Sequence, residues 1–240
     1  MRTQPDAAKK RSVRNSGVPL RNSRSIAVAL AATIRTGAGE RPSCRTQQGG
    51  RRFRYSPGVS PASTDFRSLV RTIPDHPKPG IQFRDITTLI ADPAGLASAV
   101  DALADPHLGA AEGPQVVAGI EARGFLFGTA LAVRLGLGFL PLRKPGKLPG
   151  ETLGRDYHLE YGTDRIELHV GAIRPGQRVL LVDDLIATGG TAEAAVLLLR
   201  EAGAEVVECA FVIDLPDLGG TTRLEKLGCS VRSLCAFPGE

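Results

Sequence analysis

From about residue 63 to the C-terminus, apolar positions fall into short blocks whose period switches between that of a helix and that of a strand. Phe66, Leu69, Val70 and Ile73 recur at helical spacing, and Pro74 closes the turn, which predicts a helix at the start of the folded body. Asp92-Pro93 supplies an N-cap and a proline for the first helical position, opening a helix through about Ala104. Val116 to Ile120 is an apolar run suited to a buried strand. The loop Glu121-Ala122-Arg123-Gly124 then leads into a helix through Leu135. Further strands are predicted at Phe139 to Leu142, Arg178 to Val182, Glu205 to Ile213 and Val231 to Phe237, with a helix from about Thr191 to Ala202 closed by Gly203. Strands alternating with helices indicate an α/β fold around a central, mainly parallel sheet.

Residues 145–177 break that alternation. Pro145 to Gly150 has loop chemistry, and Tyr157 to Tyr161 with Arg165 to Val170 reads as a hairpin around Gly162-Thr163-Asp164. An insertion of this length is more often functional than structural, and it is the candidate lid.

Charge changes the picture of the first quarter of the chain. Residues 1–64 carry thirteen Arg or Lys and two acids, a balance of +11, whereas residues 65–240 carry seventeen bases and twenty-three acids, a balance of −6. The basic character therefore belongs to an extension, residues 1–62, and the folded domain is placed at 63–240. The extension is rich in Arg, Ser, Gly and Pro and has too little apolar surface to offset the entropy of ordering, which predicts disorder. Its longest apolar run, Ile26 to Ile34, is nine residues and too short to span a bilayer. Three readings stand for it: translated sequence upstream of the true start, an organelle-targeting segment, or a basic arm for nucleic acid. Cytoplasm is the expected setting for the body, with organelle targeting by residues 1–62 left open.

Four cysteines without a C-x-x-C pair argue against a disulfide framework or a zinc site, and the four histidines lack metal-ligand spacing.

The strongest chemical signal is Val179-Leu180-Leu181-Val182-Asp183-Asp184-Leu185-Ile186-Ala187-Thr188-Gly189-Gly190-Thr191. An apolar strand ends in two acids, and small residues then enter a helix. In an open α/β sheet, ligands bind at the carboxyl ends of strands. The Thr-Gly-Gly-Thr turn lets backbone N–H groups approach a phosphate, with two hydroxyls and the helix N-terminus as added donors. It lacks the Gly-Lys-Ser/Thr of a triphosphate loop and is not G-x-G-x-x-G. Two carboxylates beside a phosphate would repel it, so they are expected to face ribose hydroxyls or a cation.

With these residues the chain resembles the type I phosphoribosyltransferases. The resemblance implies their α/β fold, with a small hood and a flexible lid loop. It implies that Asp183 and Asp184 meet the ribose hydroxyls and the shell of a Mg²⁺ ion held mainly by substrate and water, and that Ala187, Thr188, Gly189, Gly190 and Thr191 cradle the 5′-phosphate.

Three further segments are similar to the adenine phosphoribosyltransferases in particular. In Pro79-Gly80-Ile81-Gln82-Phe83-Arg84-Asp85-Ile86-Thr87, the resemblance implies a hood in which Phe83 stacks on adenine while Gln82 and Arg84 contact its edge largely through backbone. Adenine needs an acceptor for its 6-amino group, whereas a 6-oxo purine needs a donor there, and a mismatched buried polar group stays unpaired. In Ala118 to Gly128, it implies a diphosphate loop with Arg123 as charged partner and unusual backbone near Glu121–Ala122; Arg143 and Lys144 add positive charge. In Gly146 to Gly162, it implies that Lys147 reaches the diphosphate on lid closure and that Glu160 lies near the base, where a carboxyl group can exchange the proton that attack on C1′ displaces. Glu160, Arg123 and Lys147 are thus the expected catalytic residues. The expected partners are adenine, phosphoribosyl diphosphate and AMP, with the chain as a homodimer. Membrane is not expected as a partner. Nor is nucleic acid, since no helix-turn-helix pattern precedes the body. Another base, such as xanthine or orotate, is the rival reading within enzymes; a nucleic-acid-binding sensor of phosphoribosyl diphosphate is the rival outside them.

Overall fold

The computed structural model describes residues 64–159 and 162–239. The boundary expected at residues 62 and 63, and everything before it, lies outside the described residues.

The body opens with α1 (Phe66–Leu69), β1 (Arg71–Ile73), β2 (Phe83–Asp85) and α2 (Thr87–Ala91). The helical spacing of Phe66 to Ile73 overstates the helix. Val70 is already extended, with φ −97° and ψ 122°, and Arg71–Ile73 pairs antiparallel with β2. Phe66 and Val70 still reach one apolar cluster, because a turn of helix followed by a strand can present both to the same side. The Thr88 hydroxyl, which donates to Leu69 O at 2.6 Å and accepts from Arg71 N at 3.2 Å, pins that junction.

The α3 helix (Pro93–Ala104) begins as predicted: the Asp92 carboxylate accepts the N–H of Ala94 at 3.2 Å. There follow β3 (Val116–Ile120), α4 (Gly124–Leu135), β4 (Gly138–Leu142), β5 (Thr152–Leu159), β6 (Gly162–His169), β7 (Arg178–Ile186), α5 (Gly190–Glu201), β8 (Glu205–Asp214), α6 (Gly220–Glu225) and β9 (Val231–Ala236).

Five strands form the central sheet in the order β4-β3-β7-β8-β9, every pairing parallel. Its faces are covered by separate apolar clusters, the arrangement a parallel sheet requires. Along β7 the side chains alternate: Leu180 and Val182 join α3, α4, the hood and Phe237, while Val179 and Leu181 join α5 and the hairpin. Since all five strands run the same way, the ends of β3, β4 and β7 that carry Glu121, Arg143 and Asp183 share one edge.

Two further details differ from the sequence reading. The β7 strand does not stop at Val182 but runs through both acids to Ile186, because Asp183, Leu185 and Ile186 pair with Phe211, Ile213 and Asp214 of the longer neighbour β8. The hairpin register also differs from the prediction. Leu159 pairs with Gly162 and Tyr157 with Asp164, so Gly162, Thr163 and Asp164 belong to the second strand. Tyr157, Ile166 and Leu168 of this hairpin are buried in the cluster that holds α5. These three side chains anchor the hairpin in the core, whereas residues 145–151 are exposed apart from half-buried Leu148.

Candidate active site at the carboxyl edge of the sheet

A cleft of about 230 Å³ opens at that edge, between the end of β3, the end of β7 and the start of α5. Its wall includes Glu121, Arg123, Lys144, Tyr157, Asp183, Asp184 and the run Leu185 to Ala192. Of the residues singled out from sequence, it brings together Arg123, Lys144, Asp183, Asp184, Ala187, Thr188, Gly189, Gly190 and Thr191. Among the described residues the wall does not include Gln82, Phe83, Arg84, Arg143 or Lys147.

The loop from β7 to α5 is short, Ala187 to Gly189, and its tight path depends on glycine. Gly189 has φ +78°, a left-handed conformation that side chains disfavour. It also lies against Gly220 at the start of α6, where an added Cβ would meet Ala187 O at 2.2 Å and Gly189 N at 2.8 Å. Backbone thus packs on backbone behind the loop, and Gly190, Thr191 and Ala192, whose N–H groups have no partner within α5, line the cleft. Arg223 braces the same loop from outside, donating to Glu193 Oε2 at 2.7 Å and to Thr188 O at 3.4 Å.

The two acids occupy different surroundings. Asp184 is buried and pairs with Arg123, Nε to Oδ2 2.8 Å. Asp183 is partly buried, and its Oδ1 accepts the N–H of Asp184 at 2.9 Å. Burial raises the Asp183 carboxyl well above the usual aspartate range, and the neighbouring Asp184 charge adds to the rise. Burial raises Asp184 too, with Arg123 opposing it. Two adjacent carboxyl groups, with Arg123 paired to Asp184, make an oxygen-rich site suited to a hard cation or to hydroxyl donors. Gly124 lets the start of α4 pack directly on β7: a Cβ there would stand 2.8 Å from Asp183 Oδ1 and 2.8 Å from Val182 O.

The β3–α4 loop carries a cis peptide between Glu121 and Ala122, at the place where unusual backbone was expected. The Glu121 carboxylate takes Arg143 Nε at 2.8 Å and the Lys144 N–H at 3.0 Å through the same oxygen. Arg143 therefore stands one residue behind the wall, and it also donates to Lys147 O at 3.2 Å. Lys147 is exposed in the 145–151 segment. The Lys144 ammonium bonds to the Asp164 carboxylate and, at 3.1 Å, to the Tyr157 hydroxyl.

In the hood, Phe83 is half-buried with its ring edge-on to His76, centroids 5.1 Å apart. Gln82 is half-buried beside it. The Arg84 side chain donates to Thr72 Oγ1 at 2.6 Å and lies 4.4 Å over the ring of Phe237. The expected edge contact by Arg84 through backbone is compatible with this engagement of its side chain. Glu160 lies outside the described residues.

Glu121, Tyr157 and Leu185 of the wall were not singled out from sequence, nor was Gly220 behind the loop. Glu121 opens a loop that was, named there only for its backbone, and its acid beside two strand-end cations was a usable signal. Tyr157 and Gly220 come to the site only through hairpin pairing and the packing of α6, which no local pattern reveals.

Residues 86–233 match the model of the phosphoribosyl transferase domain family. An adenine phosphoribosyltransferase from Parvibaculum lavamentivorans is 62% identical over 175 residues, 73% of this chain and 99% of that protein. Among solved structures, the adenine phosphoribosyltransferase of Rhodothermus marinus is 50% identical with a TM-score of 0.66, covering 72% of this chain and 96% of that one. That of Saccharomyces cerevisiae, solved with D-2,5-dideoxy-2,5-imino-altritol 1,6-bisphosphate and adenine, is 38% identical with a TM-score of 0.67, covering 71% and 96%. The chain belongs to the adenine phosphoribosyltransferase family.

Proposed function

We propose that the chain transfers the 5-phosphoribosyl group from phosphoribosyl diphosphate to adenine, giving AMP and diphosphate. The observation that carries this is one cleft whose wall joins a glycine-containing loop at a helix start, two adjacent carboxyl groups and the cations Arg123 and Lys144. The Saccharomyces cerevisiae relative, solved with adenine and that bisphosphate, has the same fold, which supports adenine as the base.

A purine ring nitrogen attacks C1′ as the C1′–O bond to diphosphate breaks; the departing oxygen takes the electron pair, and the proton that the purine ring loses passes to a base, the part expected of Glu160. The 5′-phosphate sits on the N–H groups and hydroxyls of Ala187 to Thr191. Asp183 and Asp184 accept from the ribose 2′- and 3′-hydroxyls. Arg123 and Lys144 stabilise charge building on the leaving group, with Arg143 behind them and Lys147 brought in by the 145–151 segment. Holding both substrates in line and away from water supplies much of the acceleration, since water competes for C1′.

A divalent cation fits the same residues. Among the described residues no cluster of three or more His, Cys, Asp or Glu could cage a metal. Asp183 and Asp184 offer part of a hard, oxygen-only shell, and substrate oxygens with water would complete it, the mode Mg²⁺ prefers. When bound, Mg²⁺ would neutralise the diphosphate. The chain would act as a homodimer in the cytoplasm; sedimentation as a single chain would contradict the first part. Turnover with phosphoribosyl diphosphate and a panel of bases, with and without Mg²⁺, tests the reading. Adenine should be used far faster than any 6-oxo base, and only with the cation.

A further inference from the structure

We propose that Asp164, on the second strand of the hairpin, is a positioning residue for Lys144, fixing its ammonium group at the cleft wall where the leaving diphosphate is met. The inference rests on the reaction proposed above and names a residue of the hairpin that works through another.

Three groups close a triangle. Lys144 Nζ bonds to the Asp164 carboxylate and to the Tyr157 hydroxyl at 3.1 Å, and that hydroxyl donates to Asp164 Oδ2 at 3.1 Å. Lys144 and Tyr157 line the cleft; Asp164 is not among its lining residues. The carboxylate therefore stands behind the cation rather than in the substrate's place.

Its position is set by the fold. Asp164 is paired with Tyr157 across β5 and β6, and its second oxygen accepts the N–H of Arg165 at 2.8 Å. Tyr157 is buried in the core beneath the hairpin, with the Lys144 ammonium 5.7 Å over its ring. The other end of Lys144 is held as well, its N–H bonded to Glu121. An unrestrained lysine carries a four-carbon stem with many rotamers, so an ammonium awaiting a phosphate gains from being held before the ligand arrives. The charges agree with this. Burial works against the Lys144 charge, yet the bonds to Asp164 and Tyr157 outweigh it and raise the lysine, while the bond from Lys144 lowers the Asp164 carboxyl.

The opposite sign is a distinct physical outcome. If the carboxylate competed with diphosphate for Lys144, removing its charge would tighten substrate binding. A double-mutant cycle on the full chain separates the two. In Asp164→Asn, kcat/KM for phosphoribosyl diphosphate should fall about tenfold, the effect of one charge-assisted hydrogen bond, while KM for adenine stays within about twofold. Asp164→Glu should restore most of the loss. In a Lys144→Met background, Asp164→Asn should add less than about a further twofold. A fall in KM in Asp164→Asn, or full additivity with Lys144→Met, overturns the proposal. Calorimetric titration with inorganic diphosphate and Mg²⁺ gives a second readout free of turnover, expected to weaken about tenfold in Asp164→Asn. Wild-type protein that binds diphosphate but does not use adenine would count against the function reading alone. Should Asp164→Asn fail to fold, Tyr157→Phe in the same cycle tests the third corner of the triangle.

Discussion

Arg123 Nε stands 2.8 Å from Asp184 Oδ2, so the cation assigned to the leaving group and a carboxylate assigned to the ribose and magnesium side are bonded to each other. Asp184 is buried, whereas about half of the Arg123 side chain is exposed. The arginine can thus turn toward an anion in the cleft, and the carboxylate it leaves must then find hydroxyls or a cation. The two halves of the site are coupled through this one contact.

The coupling predicts a split between stability and activity. Arg123→Met should lower kcat/KM for phosphoribosyl diphosphate by about 10² to 10³, the scale of losing one stabilising donor to a developing anion. It should also cost about 1 to 2 kcal/mol of stability, well below the figure for a fully buried pair because Arg123 is half exposed. Adding Asp184→Asn should recover the melting temperature and leave activity low. Retention of normal kcat/KM in Arg123→Met would remove Arg123 from the proposed machinery.

The contact behind the phosphate loop gives a second expectation. A Cβ on Gly220 would meet Ala187 O at 2.2 Å, so Gly220→Ala must displace the loop or α6. Overpacking of this kind costs about 1 to 3 kcal/mol. KM for phosphoribosyl diphosphate should rise at least about tenfold while KM for adenine holds steady. Steady-state kinetics with each substrate varied in turn checks this; equal rises in both constants would contradict a displacement confined to this loop.

How far the sequence carried can be judged from particular residues. Asp92-Pro93 fixed the start of α3, and Val116 to Ile120 marked β3, because caps and buried apolar runs are local signals. The loop residues Ala187 to Thr191 were legible for the same reason, as a strand, small residues and a helix in succession. Phe66 to Ile73 misled, since one turn of helix followed by a strand buries the same residues as a longer helix. The hairpin register misled as well, because Gly162-Thr163-Asp164 has turn chemistry although pairing with β5 extends through it. Partners far apart in sequence were invisible: nothing near Asp184 announces Arg123, and nothing near Lys144 announces Asp164.

The hood carries a pH dependence of its own. Asp85 accepts the Thr87 hydroxyl at 2.6 Å and the Thr87 N–H at 3.0 Å, and Arg71 Nε reaches it at 3.0 Å. The Thr87 hydroxyl and amide and then Arg71 hold its carboxyl down, from 3.8 to about 2. Because the folded value lies below the ordinary one, the contribution is fully present above pH 3.8 and is lost as pH falls toward 2. Melting temperatures of wild type and Asp85→Asn should therefore differ most above pH 4 and converge toward pH 2. A difference that stays constant across that range would contradict this account.

Base choice tests the central claim most directly. Adenine and hypoxanthine, supplied together with limiting phosphoribosyl diphosphate and Mg²⁺, compete for one cleft, and the ratio of AMP to IMP gives the ratio of kcat/KM. The account predicts AMP in excess by at least about a hundredfold, as expected when the wrong base leaves a buried polar group unpaired. Equal amounts of the two products, or an excess of IMP, would contradict it.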